Sequence, residues 1–139
     1  MPPSPVLLDL RPETIGSLPC CGVKNAAHEG RRLKNCWLKA HFGKGLRAKV
    51  LMTPDNRPCG YIEYLPGGYA WRAVDAAGYM FIHCVWTFFK QYQHKGTASR
   101  MVQAVVEELG ELLGQHFPRR EDDTNELPDE VQAVKDEGN

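Results

Sequence analysis

The sequence predicts an α/β domain, and three observations carry that expectation. Apolar, strand-like runs alternate with helix-like segments over the first 117 residues. A turn with one glycine, Gln93-His94-Lys95-Gly96-Thr97-Ala98, joins the apolar run at residues 80–89 to a helical pattern from Ser99 to about His116. That last pattern sets Met101, Val102, Val105, Leu109, Leu112 and Leu113 on one stripe, as a helix packed on a sheet requires.

Residues 6–10 form a short apolar run ended by Arg11-Pro12-Glu13 and read as a first strand. Cys20-Cys21-Gly22 breaks the pattern. Over residues 26–42 the spacing predicts a helix with Leu33, Cys36, Trp37 and Ala40 on one side, and Arg31, Arg32, Lys34 and Lys39 largely elsewhere. Gly43 and Gly45 stand where that helix should end. Residues 46–53 and 59–65 read as two strands joined by the turn Pro54-Asp55-Asn56-Arg57. Pro66-Gly67-Gly68 closes the hairpin, residues 69–78 form a loop with Trp71, Arg72 and Asp75, and the strand at 80–89 follows. There is no internal repeat.

A chain of 139 residues suits one domain with one core. Its 17 basic and 17 acidic residues balance, so overall charge points to no partner. The start, Met1-Pro2-Pro3-Ser4-Pro5, lacks the basic and apolar regions of a signal peptide. No run approaches the roughly 20 apolar residues of a spanning helix, so no membrane partner is expected. An odd number of cysteines, five, without an export signal predicts reduced thiols and a cytoplasmic location. From Glu121 onward there are eight acidic residues and one lysine, which predicts an acidic, disordered tail over residues 118–139.

The glycine turn has the makings of an anion site. The first amides of a helix have no intrahelical partner, and the macrodipole favours negative charge there. Gly96 and Ala98 leave the backbone open to a diphosphate. Here the chain resembles the GNAT superfamily of N-acetyltransferases, the acyl-CoA N-acyltransferases. Their acyl-CoA motif is a strand, then Gln/Arg-x-x-Gly-x-Gly/Ala, then a helix, and it reads Gln93-x-x-Gly96-x-Ala98 here. The resemblance covers roughly residues 5–116. It implies a mixed sheet with helices on both faces, with residues 1–117 supplying the N-terminal two-thirds of the fold. Residues 118–139 offer no counterpart to the family's fifth strand and later elements. The resemblance therefore implies a C-terminally truncated domain, its fourth strand left with an open edge that a second copy or a partner chain could complete.

The same resemblance implies transfer of an acetyl group from acetyl-CoA, as co-substrate, to an amine of an unidentified acceptor, without a metal. Main-chain groups near Trp86, Thr87 and Phe88 would bind the pantetheine and polarise the carbonyl. Amides of His94, Lys95, Gly96, Thr97, Ala98 and Ser99 would hold the pyrophosphate, with Lys95 and Arg100 adding charge. His83 is a candidate general base, since imidazole titrates near neutrality. It stands ten residues before Gln93, whereas family members place a base one position to either side of that spacing. Strict alternation would turn His83 to the opposite face, as a core histidine, with Ile82 and Cys84 toward the substrate, unless a bulge changes the parity. Glu63 is the second candidate, acting through a water. Cys84 reads as inert packing, and the family's usual acid, a tyrosine, has no counterpart. Trp71, Arg72 and Asp75 either contact the acceptor or form a surface salt bridge over the indole.

Other readings stand beside this one. The domain could bind acyl-CoA without turnover. Cys20, Cys21, His28, Cys36 and His41 match zinc ligands by type, but their spacing does not. Eight basic residues between Lys24 and Lys49, with Trp37 and Phe42 interleaved, could bind RNA or form a solvated face.

Overall fold

The computed structural model describes residues 5–20, 23 and 25–116. In chain order these form β1 (Val6–Leu10), α1 (Glu29–Phe42), β2 (Arg47–Met52), β3 (Pro58–Pro66), β4 (Met80–Thr87) and α2 (Thr97–His116). The strands make one four-stranded sheet in sequential order, and each strand is antiparallel to its neighbour. α1 packs on one face, where Leu38 joins Leu10, Val50, Tyr61 and Leu65. α2 packs on the other, where Met101 and Val105 meet Leu51, Ile62 and Tyr64. The predicted α/β class with helices on both faces is thus observed, but the expected mixed sheet is corrected: among the described residues consecutive strands are neighbours and every pair is antiparallel, with no crossover to bring in a parallel strand. The expected acidic tail and truncation concern residues that lie outside the described ones.

Local chemistry sets the element ends. α1 begins three residues later than its periodicity predicts. Asn25 Oδ1 accepts from the Ala27 amide, and His28 Nδ1 caps the helix by accepting from Gly30 N at 3.0 Å. The β2–β3 turn forms as expected: Thr53 N donates to Arg57 O at 2.8 Å and Thr53 Oγ1 accepts from Arg57 N at 3.0 Å. β4 stops at Thr87 rather than Phe89, because Phe89 has φ 61° and leaves the extended region. α2 starts at Thr97, two residues before the predicted start.

The inward face of α1 differs from the predicted one. Leu33 is 54% exposed and Cys36 and Ala40 are also exposed, while Arg31 and Leu38 are buried and Lys34, Trp37, His41 and Phe42 half-buried. The helix turns cations inward because they find acceptors there. Arg31 Nη2 donates to Leu18 O at 3.3 Å, and Lys34 Nζ reaches a carboxylate on β3. On α2, Leu112 is 45% exposed and lies outside the packed stripe. A second ionic knot joins the opposite face: Lys49 Nζ on β2 meets Asp9 on β1 at 2.6 Å and Glu108 on α2 at 2.5 Å, and Tyr64 Oη on β3 also donates to Glu108.

The α1 assignment predicts contrasting truncations. Leu38→Ala should destabilise the fold by about 2–5 kcal/mol through the cavity it leaves. Leu33→Ala should stay within about 0.5 kcal/mol of wild type. Chemical denaturation of the two variants checks this.

Candidate active site

The site starts from strand alternation. Along β3, Tyr61, Glu63 and Leu65 point to the α1 face, while Ile62 and Tyr64 point to the α2 face. β4 follows in register with Trp86↔Tyr61, Val85↔Ile62 and Cys84↔Glu63, but then Ile82 pairs with Tyr64. His83 is the extra residue of a β-bulge, so it stays on the α1 face beside Cys84 instead of alternating away. The parity expected from strict alternation is therefore overturned. Ile82 turns to the other face, and His83 arrives against Glu63.

Glu63 is fully buried, with 0% exposure. Its Oε1 accepts from Lys34 Nζ at 2.6 Å and from His83 Nδ1, and its Oε2 accepts from Tyr61 Oη at 2.5 Å. Burial pushes the carboxyl up. The Lys34 ammonium, by charge and hydrogen bond, and the Tyr61 and His83 donors outweigh that and hold it below the usual carboxylate value. Burial, with the carboxylate beside it, pushes the Tyr61 phenol well up. The expectation that Glu63 acts through a water does not fit this geometry: its oxygens are sealed from solvent and taken by the Lys34, Tyr61 and His83 donors.

A carboxylate only accepts, so His83 Nδ1 carries a hydrogen toward Glu63. In the neutral ring the lone pair is then left on Nε2. Nε2 is buried and has no hydrogen-bond partner among the described residues. Aromatic rings enclose the imidazole: Trp37 stacks at 5.2 Å, Trp71 stands edge-on at 5.2 Å and Phe81 lies at 6.2 Å. Trp37 also stacks on His41 at 4.3 Å, with Lys34 Nζ 4.5 Å from its ring centre. Trp71 is 64% exposed and carries Arg72 at 4.9 Å, so it forms a wall over His83 and is not tucked beneath a salt bridge. Asp75 makes no ion pair among the described residues. Lys34, Trp37 and Trp71 also line a cavity of about 480 Å³.

The glycine turn lies beyond the end of β4. Gly96 has φ +73° and open space where a Cβ would stand. Among the described residues nothing accepts from the amides of Thr97, Ala98 or Ser99, and the ladder begins with Arg100 N donating to Gly96 O at 2.9 Å. Thr97 Oγ1 ties the helix start to Tyr92 O at 2.8 Å. His94 (φ 59°), Lys95 and Arg100 are exposed around it. Open amides, an open glycine and nearby cations fit a diphosphate. Phe88 does not fit its expected role: its ring is buried and its N–H donates to Cys59 O at 3.0 Å, closing the sheet. Trp86 is 46% exposed, and Thr87 pairs with Gly60. β4 is an edge strand, with no strand beyond it among the described residues.

Lys34 and Tyr61 escaped the sequence reading. Their signal was Tyr61-x-Glu63, which shares one strand face, and Lys34-x-x-Trp37-Leu38-x-x-His41, a helical stripe opening on a charge. Arg31, Lys34 and Lys49 are spent inside the fold, which takes much of the basis from an RNA-binding face. Among the described residues no helix is long and apolar enough to cross a membrane, and no three His, Cys, Asp or Glu side chains converge as a metal set.

No family model matches the chain, and no solved structure matches it. Over 88 residues it is 32% identical to the uncharacterized N-acetyltransferase YoaP of Bacillus subtilis (strain 168), a stretch covering 63% of this chain and 34% of that protein. The chain thus spans about a third of the curated relative it matches.

The lowered Glu63 value sets a pH dependence. A carboxylate with a folded value below its ordinary 4.5 stabilises above that value and loses the contribution as pH falls through the folded value. Glu63→Gln should melt lower than wild type near neutrality. Its melting temperature should then fall less than that of wild type between about pH 6 and pH 3.

Proposed function

We propose that this chain works in the cytoplasm as an N-acetyltransferase, moving an acetyl group from acetyl-CoA to an acceptor amine. The observation that carries the reading is His83, bulged onto the buried Glu63 with its other nitrogen unpartnered. Similarity to an N-acetyltransferase and the open glycine turn support it from separate directions. Acetyl-CoA, when bound, supplies the acetyl group as an activated thioester.

Residues of the chain divide the rest of the work. Amides of Thr97, Ala98 and Ser99 hold the diphosphate, with Lys95 and Arg100 supplying charge. His83 lies four residues along β4 from Thr87, about 13 Å at a strand's rise. A donor stretched along the strand edge from the turn would present its far end near the imidazole. His83 Nε2 takes one proton from the attacking amine and returns it to the departing sulfur. One N–H and one C–S bond are lost, and one C–N and one S–H bond are gained. Glu63 fixes the ring's tautomer and steadies its charge, and Lys34 keeps Glu63 ionised. Both are positioning residues.

A second reading has its own observation. Met80, Ile82 and Trp86 are exposed on the edge strand β4. A domain that binds acyl-CoA without turnover, and pairs that edge with a second copy or another chain, would leave such side chains for its partner.

Calorimetry and thiol release test the two. Wild type should bind acetyl-CoA, and Gly96→Val should bind about tenfold or more weakly, since a β-branched residue is strained at that φ and covers the amides. His83→Gln should retain binding and lose about 10²–10⁴ in kcat. Binding without thiol release on any amine would favour the second reading, and unchanged binding by Gly96→Val would remove the turn from both.

A further inference from the structure

We infer that the cavity of about 480 Å³ beside α1 and Trp71 is a ligand site for a small hydrophobic carboxylate, an aryl group joined to one negative charge. Its volume falls in the range of small-molecule sites. Val23, Leu33, Trp37 and Trp71 supply apolar wall, and its charged members are Arg31 and Lys34, both cationic. His83 does not line it, so the assignment stands apart from acetyl transfer.

Lys34 sets the head of the ligand. An ammonium has three N–H donors. One meets Glu63 Oε1 at 2.6 Å, and among the described residues no other oxygen or nitrogen accepts from this group. Lys34 lines the cavity and its side chain keeps 21% exposure, which leaves donors for a second acceptor. Arg31 donates to Leu18 O at 3.3 Å, so the charged contact is assigned to Lys34. A phosphate would bring more charge than an ammonium already shared with Glu63 can balance, whereas a carboxylate brings one. The walls set the body. Trp71 and Leu33 are both largely exposed in the free protein, and an aryl group held against them and Trp37 removes that apolar surface from water. A sugar acid would bring hydroxyls to indole, leucine and valine, where they would lose water without replacement. Leu33 is thereby explained: an exposed leucine on α1 that joins neither core cluster forms part of the ligand wall.

Calorimetry with phenylacetate, on the full chain without acetyl-CoA, tests this, with phenylacetamide and acetate as comparisons. Saturable binding of phenylacetate is expected. Phenylacetamide has the same shape without the charge and should bind about tenfold more weakly. Acetate, the head without the aryl body, should not saturate at the same concentrations. Removing the Lys34 charge would leave Glu63 buried without its cation, so charge dependence is read from the ligand instead. Trp71→Ala should weaken phenylacetate about tenfold. Leu33→Gln, at an exposed helix position where folding is safe, should weaken it severalfold. Equal binding of phenylacetate and phenylacetamide would overturn the anionic head. Binding indifferent to both Trp71→Ala and Leu33→Gln would overturn the cavity as its place. Absence of saturable phenylacetate binding would overturn the site altogether.

Discussion

The fold of the α1 face is organised around one carboxylate that water does not reach. Burying a charge costs several kcal/mol, and an interior ion persists only when its lone pairs are met. Glu63 satisfies that demand with an ammonium from α1, a phenol from its own strand and an imidazole from β4. These donors tie together elements far apart in sequence. Remove any one and the remaining groups keep the desolvation without full compensation, which is why the cluster constrains helix rotation and strand register together.

The constraint explains two local irregularities at once. α1 rotates Lys34 inward although Leu33 is the more apolar neighbour, because only the lysine has a charge to meet. β4 inserts an extra residue opposite the Glu63–Tyr64 step, and that bulge alone places His83 on the same face as Cys84. Around the resulting pair, Trp37, Trp71 and Phe81 exclude water from the imidazole, so the Glu63 bond acts in a low dielectric. An imidazole held in this way differs from a surface histidine, since its tautomer is set by a fixed acceptor rather than by solvent.

Much of this was legible in the sequence. The hairpin around Pro54-Asp55-Asn56-Arg57, the strand–turn–helix at Gly96 and the stripe of Met101, Val105 and Leu109 follow from local rules, and each appears where those rules put it, give or take a few residues. The site itself was half legible: Glu63 and His83 were named, but not their contact. That contact depends on a bulge, and nothing in residues 80–87 announces one. The rotation of α1 depends on Lys34 finding Glu63, 29 positions away, which periodicity does not register. Trp71 owes its place over His83 to a loop without repeat or pattern. The family resemblance put Phe88 among the groups near the donor, yet its N–H closes the β3 ladder.

The tautomer of His83 tests the account most directly. In nitrogen-15 spectra of the histidine ring, the neutral form should carry its proton on Nδ1, shifted by the bond to Glu63, with Nε2 bare. Glu63→Gln should relax that preference. A neutral ring protonated on Nε2 in the wild-type protein would contradict the proposed pairing, and with it the organisation of the site.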